Sequence, residues 1–377
     1  MKILIAPGAF KHSLSATEAA QAIARGLERS GLGADVRLLP IADGGNGTLD
    51  AFLAGSADGQ RITMTVCDPL GREIEAAYGL IDGGETAIIE MALASGLELV
   101  ADDELDPMAA STYGTGQLLQ AALEQGARRF IIGLGGSATT DGGAGCMQAL
   151  GVKLLDAHGE PVPPGGGGLD RLHTIDVSQL DRRWREVEVI VASDVDNPTL
   201  GERGAAYVYA PQKGASREQV KRLDDNLRHF FTLVHEQLGV DVRDVEGGGA
   251  AGAFSAGLMA FLGGEIQAGI DLILAHNQFT AHLPTADLVI TGEGQMDAQT
   301  ISGKGPIGVA RLAREYDVPT VAIVGGLNVD DAVLHEAGVQ AALPIVTAPM
   351  SLAEAITRAD ELVERAALRL GYVLRLM

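Results

Sequence analysis

Cysteine, tryptophan, positive charge and unbroken hydrophobic sequence are what this 377-residue chain has least of. Its two cysteines, Cys67 and Cys146, lie far apart in sequence. Two thiols supply neither a disulfide framework nor a cysteine-rich zinc site, so they read as small core residues. Against 50 acidic residues stand only 28 lysines and arginines, a formal net charge of −22. A field of that sign repels phosphate backbones and anionic lipid, so no nucleic-acid partner and no membrane partner is expected. A small anionic ligand is still compatible, because backbone N–H groups, a few cations and a metal ion invert the field locally. The longest charge-free run, 247–264, is mostly glycine, alanine and serine, too weakly hydrophobic to span a bilayer. The apolar stretch before Pro7 is too short for a signal sequence, and the expected location is cytoplasmic.

Glycine is the abundance: 50 of 377 residues. That is nearly double the usual ~7%. The glycines have no collagen period and cluster beside Asp, Ser and Thr, which points to tight turns and to backbone lying against a ligand.

Short apolar runs that end in Gly, Ser, Asp or Pro recur at 2–6, 36–41, 130–134, 187–192, 288–291, 321–324 and 342–346. Runs without polar alternation suit strands buried on both faces, as in a parallel sheet. Between them lie helical patterns. Ser15 with Glu18, Ser216 with Gln219, and Ser351 with Glu354 have capping-box spacing, each followed by apolar residues at one-face intervals. Strand, loop and helix in repetition define an α/β chain. The two ends resemble one another, and five such strands suit a flavodoxin-like sheet of order 2-1-3-4-5. The expected organisation is a flavodoxin-like domain from 1–61 plus 285–377, interrupted by a second, inserted α/β domain at 62–284. A ligand cleft between the two is expected.

Several fingerprints fail. The stretch 298–305 lacks the first glycine of a P-loop, and glycine follows Lys304 where a hydroxyl is required. Gly133–Ala138 matches a relaxed dinucleotide pattern, which keeps an NAD-dependent hydroxy-acid dehydrogenase as an alternative. A non-catalytic small-acid sensor is a second alternative. What stands out is a carboxylate set in glycine or other turn residues after a strand, four times over: around Asp43, Asp141, Asp194 and Glu293. In open parallel sheets ligands lie beyond the carboxyl ends of strands, where such loops gather. Glycine-rich backbone offers N–H donors to phosphate, carboxylates hold Mg²⁺, and one more accepts a hydroxyl proton. These are the parts of a phosphoryl-transfer site. Lys304 precedes Pro306, a favoured first helical residue, so its charge sits at a helix N-terminus where an anion would relieve it.

Taken in order, the motifs resemble those of the bacterial glycerate kinases. They run through Pro7-Gly-Ala-Phe-Lys-His-Ser13, Asp43-Gly-Gly-Asn-Gly-Thr48, Ile89-Glu-Met-Ala-Leu-Ala-Ser-Gly-Leu97 and Ser111-Thr-Tyr-Gly-Thr-Gly116. Further along come Asp141-Gly-Gly-Ala-Gly145, Asp194-Val-Asp-Asn-Pro198, Pro211-Gln-Lys-Gly-Ala215, Asp287-Leu-Val-Ile-Thr-Gly-Glu-Gly294 and Gly303-Lys-Gly-Pro306. The resemblance covers nearly the whole chain. It departs from the family at Asn46, where Glu is common, at Thr140, where Asn is usual, and at Ala253, where Gly is frequent.

The resemblance implies ATP- and Mg²⁺-dependent phosphorylation of D-glycerate to 2-phosphoglycerate, with the 3-hydroxyl as the alternative position and a homodimer left open. On this reading Lys11 and Arg72, with Ser13, Ser111 and Thr112, hold the substrate. Gly135, Gly136, Ser137, Asp141, Gly292, Gly294 and Lys304 face the ATP phosphates. Asp43, Asp194 and Glu293 bind Mg²⁺, Asp194 also serving as general base, and Lys11 joins it as a catalytic residue.

Overall fold

The structure is a computed structural model that describes residues 1–301 and 305–376. In chain order its strands begin with β1 (Lys2–Pro7), β2 (Asp35–Leu38), β3 (Gln60–Cys67), β4 (Glu73–Ile81), β5 (Thr86–Glu90) and β6 (Arg129–Gly133). They continue with β7 (Lys153–Leu155), β8 (Thr174–Asp176), β9 (Glu188–Ala192) and β10 (Glu265–Gln267). The last are β11 (Leu288–Met296), β12 (Thr320–Leu327) and β13 (Ala341–Pro344). The chain divides into two compact units, one of 1–43, 50–57 and 269–377, the other of 44–49 and 58–268.

The first unit holds a five-stranded sheet of order β13-β12-β11-β1-β2, parallel throughout. Numbered within the unit, that is the expected 2-1-3-4-5. Ile5 pairs with Ile290 on one side and Leu38 on the other. Alternate residues feed opposite faces: Ile3, Ile5 and Ile323 pack with the helices Ala16–Arg29 and Ala359–Leu374, while Ala322 and Val324 pack with Pro306–Arg314 and Asp331–Glu336. Each large apolar side chain so buried contributes about 1.5–3 kcal/mol. Both end strands are shorter than their apolar runs suggest. β2 stops before Pro40 and β13 at Pro344, since proline lacks the N–H a ladder needs. β2 is also mostly exposed, because it forms the sheet edge.

The capping boxes at Ser15 and Ser216 open helices as expected, at Ala16–Arg29 and Arg217–Leu238. Ser351 also caps a helix, but that helix ends at Thr357 and a second begins at Ala359. One long final helix is therefore replaced by two.

The second unit holds a six-stranded sheet of order β10-β9-β6-β5-β4-β3 and the ribbon β7-β8. β5, β6, β9 and β10 run parallel, whereas β3, β4 and β5 pair antiparallel. β3 is not an unbroken apolar run: it alternates, with Arg61, Thr63 and Thr65 interleaved among apolar residues. The unit's core gathers Leu118, Phe130, Ile132, Phe230 and Phe254. Cys146 is buried, Cys67 half-buried, and both are free thiols. No helix among the described residues is long and apolar enough to cross a membrane.

Candidate active site

In the first unit a cavity of about 690 Å³ opens where β1, β11, β12 and β13 reach their carboxyl ends. Its lining comes from the turn after β1, the end of β11, two glycines of β12 and the segment after β13. Between β1 and β11 the strand order reverses, the switch point where an open α/β sheet presents its crevice. The turn after β1 is tight: Leu14 N and Ser13 Oγ donate to Phe10 O at 2.9 and 2.8 Å, and His12 takes a positive φ of 63°. Lys11 and Ser13 line the cavity from this turn, with Asp43, Glu293, Gly294, Asp297 and Thr300. Gly292 does not line it. It lies between strands, where a Cβ would fall 2.0 Å from Ile323 O. Lys304 lies outside the described residues.

Glu293 is the electrostatic centre of this group. Thr300 Oγ1 donates to its Oε1 at 2.6 Å, which favours the carboxylate. Burial outweighs that bond, and with Asp43 and Asp297 adding like charge it pushes Glu293 up to about 7, against a smaller opposing pull from Lys11. A divalent cation would relieve that repulsion, and the donors are hard oxygens of the kind Mg²⁺ takes. Among the described residues no three of His, Cys, Asp and Glu form a metal-holding cluster. Mg²⁺ commonly uses one or two carboxylates and completes its shell with phosphate and water, so Asp43 and Glu293 fit it.

In the second unit a different set converges. Gly135 N donates to Gly44 O at 2.9 Å, and a Cβ on Gly135 would fall 2.3 Å from Gly45 Cα. Glu90, closing the buried strand β5, accepts from Gly47 N and Leu49 N at 3.0 Å each. The helix that follows the Gly133–Ala138 stretch begins only at Ala144, so no helix N-terminus opens on the dinucleotide-like glycines. Lys213 is buried and donates to Ser137 Oγ at 2.8 Å and Thr139 O at 2.6 Å. Burial pulls its ammonium down to about 7, with Asp141 pulling the other way.

Asp141 is fully buried and takes hydrogen bonds from Thr112 N and Oγ1 and from Gly143 and Gly145 N, at 2.9–3.1 Å. Burial nonetheless raises its carboxyl above the usual range. Thr112 Oγ1 in turn accepts from Cys146 N, and Ser111 Oγ accepts from Tyr113 N. Arg72, half-exposed, donates to Asp68 and Glu104. Asp194 follows β9 in the same unit.

The structure thus brings Lys11, Ser13, Asp43, Glu293 and Gly294 to one cavity and joins Thr112 and Asp141 in one buried hydrogen-bond network, while Ser137 bonds Lys213 and Ser111 bonds Tyr113 N separately. Lys213 and Glu90 are the functional-looking residues that motif spacing underweights. Glu90 had a signal, a lone acid closing an apolar strand. Lys213 had little, since its partners are more than seventy positions away in sequence.

A family model described as the glycerate kinase family matches residues 3–375. A glycerate kinase of Bacillus subtilis (strain 168) is 48% identical over 367 residues, covering 97% of this chain and 96% of that one. A glycerate 2-kinase of Escherichia coli (strain K12) is 46% identical over 366 residues, covering 97% and 96%. Among solved structures, a Salmonella typhimurium LT2 chain assigned as a glycerate kinase 2 aligns with a TM-score of 0.87 at 44% identity, covering 100% of this chain and 98% of that one.

Proposed function

Because this chain belongs to the glycerate kinase family, we propose that it transfers the γ-phosphoryl group of ATP to the 2-hydroxyl of D-glycerate. The 2-hydroxyl oxygen forms a bond to the γ-phosphorus, the bond from that phosphorus to the β–γ bridging oxygen breaks, and the hydroxyl proton passes to a base. The products are 2-phosphoglycerate and ADP. The near full-length likeness to the Escherichia coli glycerate 2-kinase carries the choice of substrate and hydroxyl.

We assign Asp43 and Glu293 to Mg²⁺, which when bound neutralises charge on the phosphate oxygens. Lys11, beside them, would hold an anionic oxygen of substrate or nucleotide, and Ser13 and Gly294 line the same cavity. Asp194 is the proposed general base, and Arg72 and Ser111 the proposed substrate contacts in the second unit. For Asp141, Thr112 and Gly135 we propose positioning roles in place of ligand contacts. Thr112 N and Oγ1, Gly135 N and both Asp141 oxygens already make hydrogen bonds inside the protein, which fix the 133–145 loops on which Ser137 stands. We propose the cytoplasm as the location of the reaction.

Phosphorus NMR of the product made from ATP, Mg²⁺ and D-glycerate tests the reading. A phosphate on C2 couples to one vicinal proton and gives a doublet, whereas one on C3 couples to two and gives a triplet. The doublet is expected. Asp194→Asn is expected to lower kcat by about 10²–10⁴ while the circular dichroism spectrum is retained. Near-normal turnover would remove Asp194 from the mechanism.

A further inference from the structure

The cavity of the first unit changes character across the sheet. Over β1 and β11 its lining carries the charged and hydroxyl groups, Lys11, Asp43, Glu293, Asp297 and Thr300, beside Ala9 and Phe10. Over β12 it has no side chains, only Gly325 and Gly326. Beyond β13 it is hydrocarbon: Ile345, Val346, Leu352, Ala355 and Ile356, with the thioether of Met350. The one hydroxyl in that wall, on Ser351, is held at the helix cap by Glu354 N at 3.2 Å. Strands stand about 4.8 Å apart, so the polar and apolar ends are separated by on the order of 10 Å. A three-carbon hydroxy acid cannot reach both, and a nucleotide can.

The wall also exposes apolar surface that a ligand would cover. Leu352 is 76% exposed and Val346 37%, although both line a concave site. An exposed leucine on a convex surface needs no explanation, but several apolar side chains lining one cavity mark a binding site. Glycerate, which is polar at every carbon, gains little there. A planar heterocyclic base gains the burial of its faces.

Building on the kinase reading above, we propose that the 345–356 segment is the nucleobase subsite, and that it holds the base by apolar contact rather than by side-chain hydrogen bonds. Among the described lining residues Gln295 is the one side-chain amide, and it lies over Gly326, between the two ends of the cavity. Discrimination among bases is therefore shallow. Pockets built on apolar contact separate analogues by about a hundredfold or less, whereas hydrogen-bonding pockets reach about 10⁴ or more.

The test uses the full-length enzyme, Leu352→Asp and Ile356→Ala. Leu352 is exposed at a helix start, so its replacement leaves the fold intact; Ile356 supplies a second probe that adds no charge. Binding of a fluorescent N-methylanthraniloyl ATP is measured without glycerate, and initial rates are measured with ATP, GTP and UTP. Both variants are expected to weaken nucleotide binding and raise KM for ATP about fivefold or more, leaving KM for D-glycerate unchanged. In the wild type, GTP and UTP are expected within about a hundredfold of ATP in kcat/KM. Unchanged nucleotide binding in both variants, a shift in KM for glycerate alone, or selectivity for ATP beyond about 10⁴ overturns the proposal. If no donor phosphorylates glycerate, the kinase reading fails by itself, and the fluorescent titration still decides whether this wall receives a base.

Discussion

Lys213 carries its ammonium into the interior of the second unit, where two oxygens, Ser137 Oγ and Thr139 O, satisfy two of its three donors. Burial disfavours the charged form, and the attraction of Asp141 only partly restores it, which brings Lys213 down to about 7 from the ordinary 10.5. Between those two values the unfolded chain binds a proton that the folded protein does not. Stability conferred through this residue therefore rises as pH rises from 7 toward 10.5, with a slope of up to about 1.4 kcal/mol per pH unit. Lys213→Met removes the titration. Urea denaturation of both proteins at pH 7, 8 and 9 should show the wild type gaining on the variant at each step, and parallel curves would contradict the assignment. Such a lysine is nearly illegible in sequence. Its neighbours Pro211, Gln212 and Gly214 describe a turn, and nothing local says that its side chain points inward. Asp141 misleads in the opposite direction. An acid among glycines reads as a ligand contact, yet here the glycines supply N–H donors to the acid itself.

Elements were more legible than residues, because hydrophobic period and capping residues act locally. β1, β6, β9, β11 and β12 fall on the runs that sequence marks, and the boxes at Ser15 and Ser216 open their helices. Local signals fall short where tertiary context decides. β3 and β4 pair as an antiparallel hairpin, and the helix after Ser351 breaks at Arg358. Ala251, Gly252 and Ala253 take three successive left-handed conformations, with φ of 53°, 66° and 67°. That conformation costs an alanine roughly 1–2 kcal/mol, and no propensity argument anticipates it. The packing of Ala16–Arg29 on Ala359–Leu374 gives a sharper test of element-scale reasoning. A Cβ on Gly26 would fall 2.3 Å from Glu364 O and 2.7 Å from Ala367 Cβ, both fixed parts of the facing helix. Helix propensity alone favours Gly26→Ala by about 1 kcal/mol. Overpacking against backbone costs about 1–3 kcal/mol more than the native contact. Because the obstacle is a carbonyl and not a flexible side-chain tip, the clash should win. Gly26→Ala is expected to lose up to about 2 kcal/mol in chemical denaturation, and a gain would show that the helices part freely.

For the molecule as a whole the governing quantity is its net charge of −22, set against a reaction whose substrates are also anions. Most enzymes that bind phosphates draw them in with a basic surface, and salt then slows association. Here the far field opposes approach. The polar end of the first unit's cavity does little to reverse it, since Lys11 shares that lining with Asp43, Glu293 and Asp297. Salt should therefore help. The Debye length is about 30 Å at 0.01 M ionic strength and about 8 Å at 0.15 M, so physiological salt removes most of the long-range repulsion but leaves contacts inside the cavity intact. With Mg²⁺ held in fixed excess, kcat/KM for the nucleotide is expected to rise a few-fold between those two ionic strengths, while kcat stays level. The effect should scale with ligand charge, larger for the nucleotide than for D-glycerate. A fall in kcat/KM over the same range would mean that a local positive field dominates capture, with Lys11 as its source in this cavity.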